Sequence, residues 1–142
     1  MCFDAQMTAY RGFIDGASFH TQNLASATWV IYSPTDELLA SGGRCLGPAT
    51  NNVVEYQAAI GLMTEALSSG ISHLIIYLDS QLVVPQLNGI YSIHDPTLLC
   101  LFQRIRLLER LFSYIRYYYI LRQFNMIVDS LENFILDWHL SH

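Results

Sequence analysis

The sequence holds no lysine: all seven of its basic residues are arginine, set against twelve acidic residues for a net charge of −5. That balance excludes a surface uniformly attractive to a polyanion. Five of the arginines nevertheless fall between Arg104 and Arg122 and leave room for a local basic face, with Arg106 and Arg110 four apart on one side of a helix. Charge of either sign is sparse at 13% of 142 residues, while 52% are apolar, which excludes a disordered chain. The apolar runs are short. An Arg, Asn, Asp or Gln interrupts each before it reaches the roughly 20 residues of a membrane span. The N-terminus lacks the basic start and continuous apolar stretch of a secretory signal, so an intracellular protein without a membrane anchor is expected, its compartment open. Cysteine is scarce as well: Cys2, Cys45 and Cys100 stand far apart, without zinc-type pairing, and read as buried free thiols.

What is present suits one domain with a substantial core. Residues 1–9 carry no periodic signal and read as an irregular lead-in to a single domain over 10–142. Tyr10–Asp15 reads as a first strand, and the β-branched and aromatic run Ala27–Tyr32 as a second. A Ser33-Pro34-Thr35-Asp36-Glu37 turn leads to a third strand, Leu38–Cys45, with a bulge expected at Gly42-Gly43. Thr50 and Asn51 are N-cap residues for a helix to about Ser69, whose Val54, Ala58, Leu62 and Ala66 share a face. Leu74–Leu78 is nearly continuous in apolar residues, as a central strand covered on both faces should be. A short helix follows Asp79-Ser80 and ends near Leu87, with Pro85 an awkward interior residue. Asp95-Pro96 opens a helix to about Phe112, and Tyr114–Ile120 is a last strand. The Tyr117-Tyr118-Tyr119 run in it reads as strand and core. Asn125 to about Leu140 is a closing helix. The order β-β-β-α-β-α-α-β-α predicts an α/β fold. Its mixed five-stranded sheet combines an antiparallel meander with two parallel strands, and helices pack on both faces.

Against that frame three acids stand out. Asp15 and Asp79 each end a strand, and Glu55 lies in the first turns of a helix. Taken singly, each has an ordinary explanation: a turn residue, a cap, a solvated helix face. Together they suggest one site, because clustered carboxylates repel one another and lose solvation unless a cation joins them. Hard oxygen ligands suit magnesium or manganese.

Four blocks in this order resemble the ribonuclease H family, especially its plant and retroelement-like members. They are Asp-Gly-Ala-Ser at 15–18, Leu-Gly-Pro-Ala-Thr-Asn-Asn-Val-Val-Glu-Tyr-Gln-Ala at 46–58, Asp-Ser-Gln-Leu-Val-Val at 79–84 with Gln-Leu-Asn-Gly at 86–89, and Asn-Met-Ile-Val-Asp-Ser-Leu-Glu-Asn at 125–133. The resemblance spans roughly residues 10–138. It implies that Asp15, Glu55, Asp79 and Asp129 are catalytic carboxylates holding two Mg²⁺ ions, with Mn²⁺ as a substitute. The implied substrate is an RNA–DNA hybrid, of which the RNA strand is cut. It further implies that Gly16, Ser18, Asn51, Asn52, Gln81 and Asn125 lie where the family contacts substrate, amide side chains being able to meet the 2′-OH and base edges of the minor groove. Asn51 has N-capping as an alternative role.

The departures are equally specific. The family's Gly-rich turn after the first block is replaced by Phe19-His20-Thr21-Gln22-Asn23, and later family glycines are Ser26 and Thr28. The His usually found ten residues before the last aspartate is Tyr119, in Tyr119-Ile120-Leu121-Arg122. None of the five histidines supplies a replacement. These changes keep a second expectation in view: a weak or inactive ribonuclease H-like pseudoenzyme that binds nucleic acid or a protein partner.

Overall fold

The computed structural model describes residues 7–19 and 24–122. Its strands are β1 (Tyr10–Phe19), β2 (Leu24–Tyr32), β3 (Leu38–Leu46), β4 (His73–Leu78) and β5 (Tyr114–Tyr119); its helices are α1 (Asn51–Ser68), α2 (Val83–Leu87) and α3 (Pro96–Glu109). The strands form one sheet in the order β3-β2-β1-β4-β5. β1, β2 and β3 make the expected antiparallel meander, while β4 runs parallel to β1 and β5 parallel to β4. The closing helix expected over 125–140, and with it the cover of the second face, lies outside the described residues.

Two caps behave as the sequence indicates. Thr50 Oγ1 accepts from the Val53 amide at 3.3 Å and so caps α1 in place of Asn51, while Asp95 Oδ1 accepts from the amides of Thr97 and Leu98 ahead of α3. Pro85 is not interior after all. α2 begins at Val83, so Pro85 sits in its first turn, where a missing N–H costs little.

α1 packs its buried residues, among them Val54, Ala58, Leu62 and Ala66, onto the sheet. The sheet admits it closely because β1 presents glycines there. A Cβ at Gly12 would come within 2.5 Å of the Leu62 side chain, and one at Gly16 would overlap Val54. The Trp29 ring fills the adjoining space, bounded by Gly42 and Gly61, and donates its indole N–H to Glu65 Oε1 at 2.5 Å. Gly42 therefore serves the ring and is no bulge; the register irregularity falls at Ile31/Tyr32, opposite Leu38 and Ala40. On the sheet's other side Phe13 stacks on Tyr77 with centroids 5.0 Å apart and meets the edge of Tyr32.

Further corrections concern single residues. Cys45 is half-buried and Cys100 exposed, so neither is the buried thiol expected. Of the tyrosine run only Tyr117 is core; Tyr118 and Tyr119 are each 42% exposed. Arg106, placed with Arg110 on one side of a helix, is half-buried. It bonds Glu109 Oε2 at 2.6 Å and the Leu87 carbonyl at 2.7 Å, and the same carboxylate oxygen accepts from the Tyr117 hydroxyl at 2.5 Å. Thus α3, α2 and β5 are tied together by polar contacts that apolar periodicity does not reveal. No helix among the described residues is long and apolar enough to cross a membrane.

Candidate active site

β1 and β4 are parallel neighbours, paired from Tyr10↔Leu74 to Phe13↔Tyr77, so their C-terminal ends open at the same edge of the sheet. Asp15 follows two residues after the last pair and Asp79 one residue after β4. α1 enters from the helix side with Glu55 in its second turn. The steric reason is Gly16: with no side chain there, Val54 seats against β1 and carries the neighbouring Glu55 toward Asp15. One ligand oxygen from each of Asp15, Glu55 and Asp79 lies within 4.8 Å of the other two.

The three acids are withdrawn from solvent. Asp15 is 0% exposed and Glu55 8%, and the Asp79 side chain is 4% exposed. At an effective dielectric of about 20, two unit charges at about 4.8 Å repel by roughly 3.5 kcal/mol, a cost that calls for compensating charge. Part of it is local: Asp15 Oδ1 accepts the Gly16 amide at 2.8 Å. Part is Arg122, whose Nη1 donates to Asp15 Oδ1 at 3.4 Å and to Asp79 Oδ2 at 3.3 Å. The donor set is all carboxylate oxygen, buried and convergent, and it fits a hard divalent cation such as Mg²⁺ or Mn²⁺.

The other expected site residues divide. Gly16 and Ser18 lie on β1, and Gly16 acts through the close approach just described. Asn51 is exposed and Asn52 half-buried in the first turn of α1, on the helix end that also carries Glu55. Gln81 is exposed beyond Asp79, its amide 3.5 Å from the Tyr119 hydroxyl. Tyr119, where a histidine was expected from the resemblance, thus stands at the same edge of the sheet as the acids. Asn125 and Asp129 lie outside the described residues, as do His20 and Thr21.

Arg122 entered the sequence reading as the end of the Tyr119-Ile120-Leu121-Arg122 segment and was given no place in the site. It lies 107 positions from Asp15. The usable signal was topological: β5 pairs in parallel with β4, Leu78 opposite Tyr119, so the residues following both strands emerge together. An open cleft of roughly 300 Å³ lies between α1 and α3, lined by Ile60, Thr64, Arg104, Leu107, Leu108 and Leu111, with none of the acids in its wall.

Comparison with known proteins agrees with this geometry. A family profile described as reverse transcriptase-like matches residues 13–134. Ribonuclease HI of Halobacterium salinarum is 35% identical over 125 residues, covering 88% of this chain and 63% of the relative. A bifunctional protein of Mycobacterium tuberculosis is 34% identical over 100 residues, 70% of this chain and 28% of the relative. The chain therefore spans less than two thirds of these curated relatives. Among solved structures, RNase H1 from Halobacterium salinarum superposes with a TM-score of 0.85 at 34% identity, covering 91% of this chain and 98% of that one. LC11-RNase H1 in complex with an RNA/DNA hybrid also gives 0.85, at 26% identity, covering 92% and 99%. With a profile match over most of its length and a ribonuclease HI relative 35% identical over 88% of it, the chain belongs to the reverse transcriptase-like, ribonuclease H family.

Proposed function

We propose that this chain hydrolyses the RNA strand of RNA–DNA hybrids, with Asp15, Glu55, Asp79 and Asp129 holding two divalent ions, Mg²⁺ by preference and Mn²⁺ as a substitute. The observation that carries the proposal is the buried convergence of Asp15, Glu55 and Asp79 within 4.8 Å, an arrangement that repels itself unless a cation is its purpose. The ribonuclease names of the relatives and the hybrid bound to LC11-RNase H1 support the substrate class. Bound ions would supply an acidified water and offset charge on the leaving 3′ oxygen.

The protein's own part is positioning. The sheet holds both strand acids, Asp15 within β1 and Asp79 just past the end of β4, and burial keeps water from screening them. Asn51, Asn52 and Gln81 present amides from α1 and from the turn after β4; these, with Gly16, Ser18 and Asn125, are assigned to the hybrid, where the 2′-OH distinguishes RNA from DNA. Arg122 brings a permanent positive charge to the rim, where a phosphodiester would lie. Tyr119 puts a phenol where the resemblance places an imidazole, so the family's proton-handling histidine has no counterpart at this position. Turnover is accordingly expected to be slow.

The test is cleavage of a hybrid labelled separately on each strand, in Mg²⁺ and in Mn²⁺, beside Asp79→Asn. Cutting confined to the RNA strand and absent from the variant supports the proposal. Folded wild-type protein that cuts neither strand in either metal refutes it and favours the non-catalytic binding module.

A further inference from the structure

The acids of the site have a cation against them already. A single nitrogen of Arg122, Nη1, lies 3.4 Å from Asp15 Oδ1 and 3.3 Å from Asp79 Oδ2, bridging carboxylates carried by the adjacent strand β1 and the end of β4. The partners are unequal. The acids are 0% and 4% exposed, fixed at the floor of the site, whereas the arginine side chain is 59% exposed and reaches in on a long stem. Both contacts are long for a charged pair. Arg106, by comparison, meets Glu109 at 2.6 Å. In each of these two contacts one nitrogen meets one oxygen, without the two-pronged fit that locks an arginine on one carboxylate.

We propose that Arg122 is the place-holder for the metal. In the metal-free protein its guanidinium bridges Asp15 and Asp79 and offsets their repulsion; a divalent cation entering the triad takes over both carboxylates and releases the arginine toward solvent. This rests on the metal-binding reading of the triad given above. The same carboxylates cannot be fully engaged by both cations, so the two are coupled. By linkage, whatever factor Arg122 takes from metal affinity, the metal takes from the arginine's hold. The device has a use: buried acids without a counter-charge would push β1 and β4 apart, and an exposed arginine is a partner that can leave without unfolding anything. It also sets a concentration threshold, since the site fills only when the cation outcompetes a tethered side chain.

The experiment uses the whole chain, stripped with chelator, as wild type, Arg122→Gln, Arg122→Lys, Asp79→Asn and the Arg122→Gln/Asp79→Asn double variant. Two quantities are read, neither of them catalytic: the thermal midpoint in chelator, and Mg²⁺ and Mn²⁺ affinity by titration calorimetry. Arg122→Gln should lower the metal-free midpoint and bind the cation about five- to tenfold tighter, the low end of site–site couplings. Arg122→Lys, which keeps the charge, should stay close to wild type in both. The midpoint loss from Arg122→Gln should shrink on the Asp79→Asn background. Equal cation affinity in wild type and Arg122→Gln overturns the proposal alone, and so does a midpoint loss that Asp79→Asn leaves unchanged. Absence of cation binding in both proteins overturns it together with the metal reading.

Discussion

Replacing Gly16 with alanine is expected to separate α1 from β1 and to damage the site without touching a carboxylate. The new Cβ would overlap Val54 Cγ1, stand 3.1 Å from Val54 Cβ and 3.4 Å from the Glu55 backbone nitrogen. Val54 is fully buried and β-branched, so its methyls have no open rotamer to move into. The helix itself must shift. Overpacking of this kind costs about 1–3 kcal/mol, which for a domain of this size is about 3–10 °C in thermal midpoint. Because Glu55 is the next residue, the shift draws its carboxylate from Asp15 and weakens the triad's hold on a divalent ion. Val54→Ala alone removes two methyl groups, about 1.6 kcal/mol of transfer free energy plus a cavity term. In the Gly16→Ala/Val54→Ala double variant the alanine methyl occupies the space Val54 gave up, so the combined loss should fall short of the sum by about 1 kcal/mol or more. Denaturant unfolding of the four proteins in chelator measures the cycle, and Mg²⁺ titration of the same samples follows the site. Additive losses would refute the steric argument. So would a Gly16→Ala protein that binds the cation as wild type does.

The remaining predictions concern groups outside the acid cluster. Glu65→Ala leaves the buried Trp29 indole N–H without its acceptor and should cost about 1–3 kcal/mol; Glu65→Gln keeps an acceptor and should lose less, and equal losses by denaturant unfolding would count against the bond. Gly61→Ala places a Cβ within 2.5 Å of the Trp29 ring and should destabilise by about 1–3 kcal/mol, visible also as a shift in tryptophan emission. Stability should decline in alkali. Burial pushes the Tyr56 hydroxyl up to about 12, partly countered by Arg106, and burial followed by the hydrogen bond to Glu109 pushes Tyr117 higher still. The unfolded chain ionises these phenols near 10.0, so their contribution is whole below that pH and is lost as pH rises through the folded values. The unfolding midpoint should therefore fall from about pH 10 upward, less steeply in Tyr117→Phe, and a midpoint flat to pH 12 would refute it.

The order of elements was legible because local chemistry and the fold agree in this chain. Thr50 and Asp95 cap the helices that follow them, and the apolar run of β4 is that of a strand flanked on both sides within the sheet. Strand lengths were less legible. β1 continues through Gly16, Ala17, Ser18 and Phe19, and β2 begins at Leu24, because each pairs with the other across the hairpin. Gly16, Ala17 and Ser18 carry little strand preference of their own, so tertiary pairing decides. The glycines were misread for a related reason. Gly42 looked like a bulge because nothing in the sequence says that Trp29, thirteen residues earlier, lays its ring over it.

The acid cluster shows the same division between local and distant information. Asp15 and Asp79 were readable as a pair because each follows an apolar run; β1 continues past Asp15 to Phe19, and the two acids meet because its parallel pairing with β4 stops at Phe13↔Tyr77. Glu55 was readable by its place near a helix start. The counter-charge was not read as one, although Arg122 closes the segment in which Tyr119 replaces the family's histidine. Arg122 comes to the acids because β5 is parallel to β4 and ends beside it. A site assembled at strand ends thus takes its acids from well-marked boundaries, while its compensating charge can come from any strand that ends nearby. A search for such partners should therefore begin with the predicted sheet order and look just past the end of each neighbouring parallel strand.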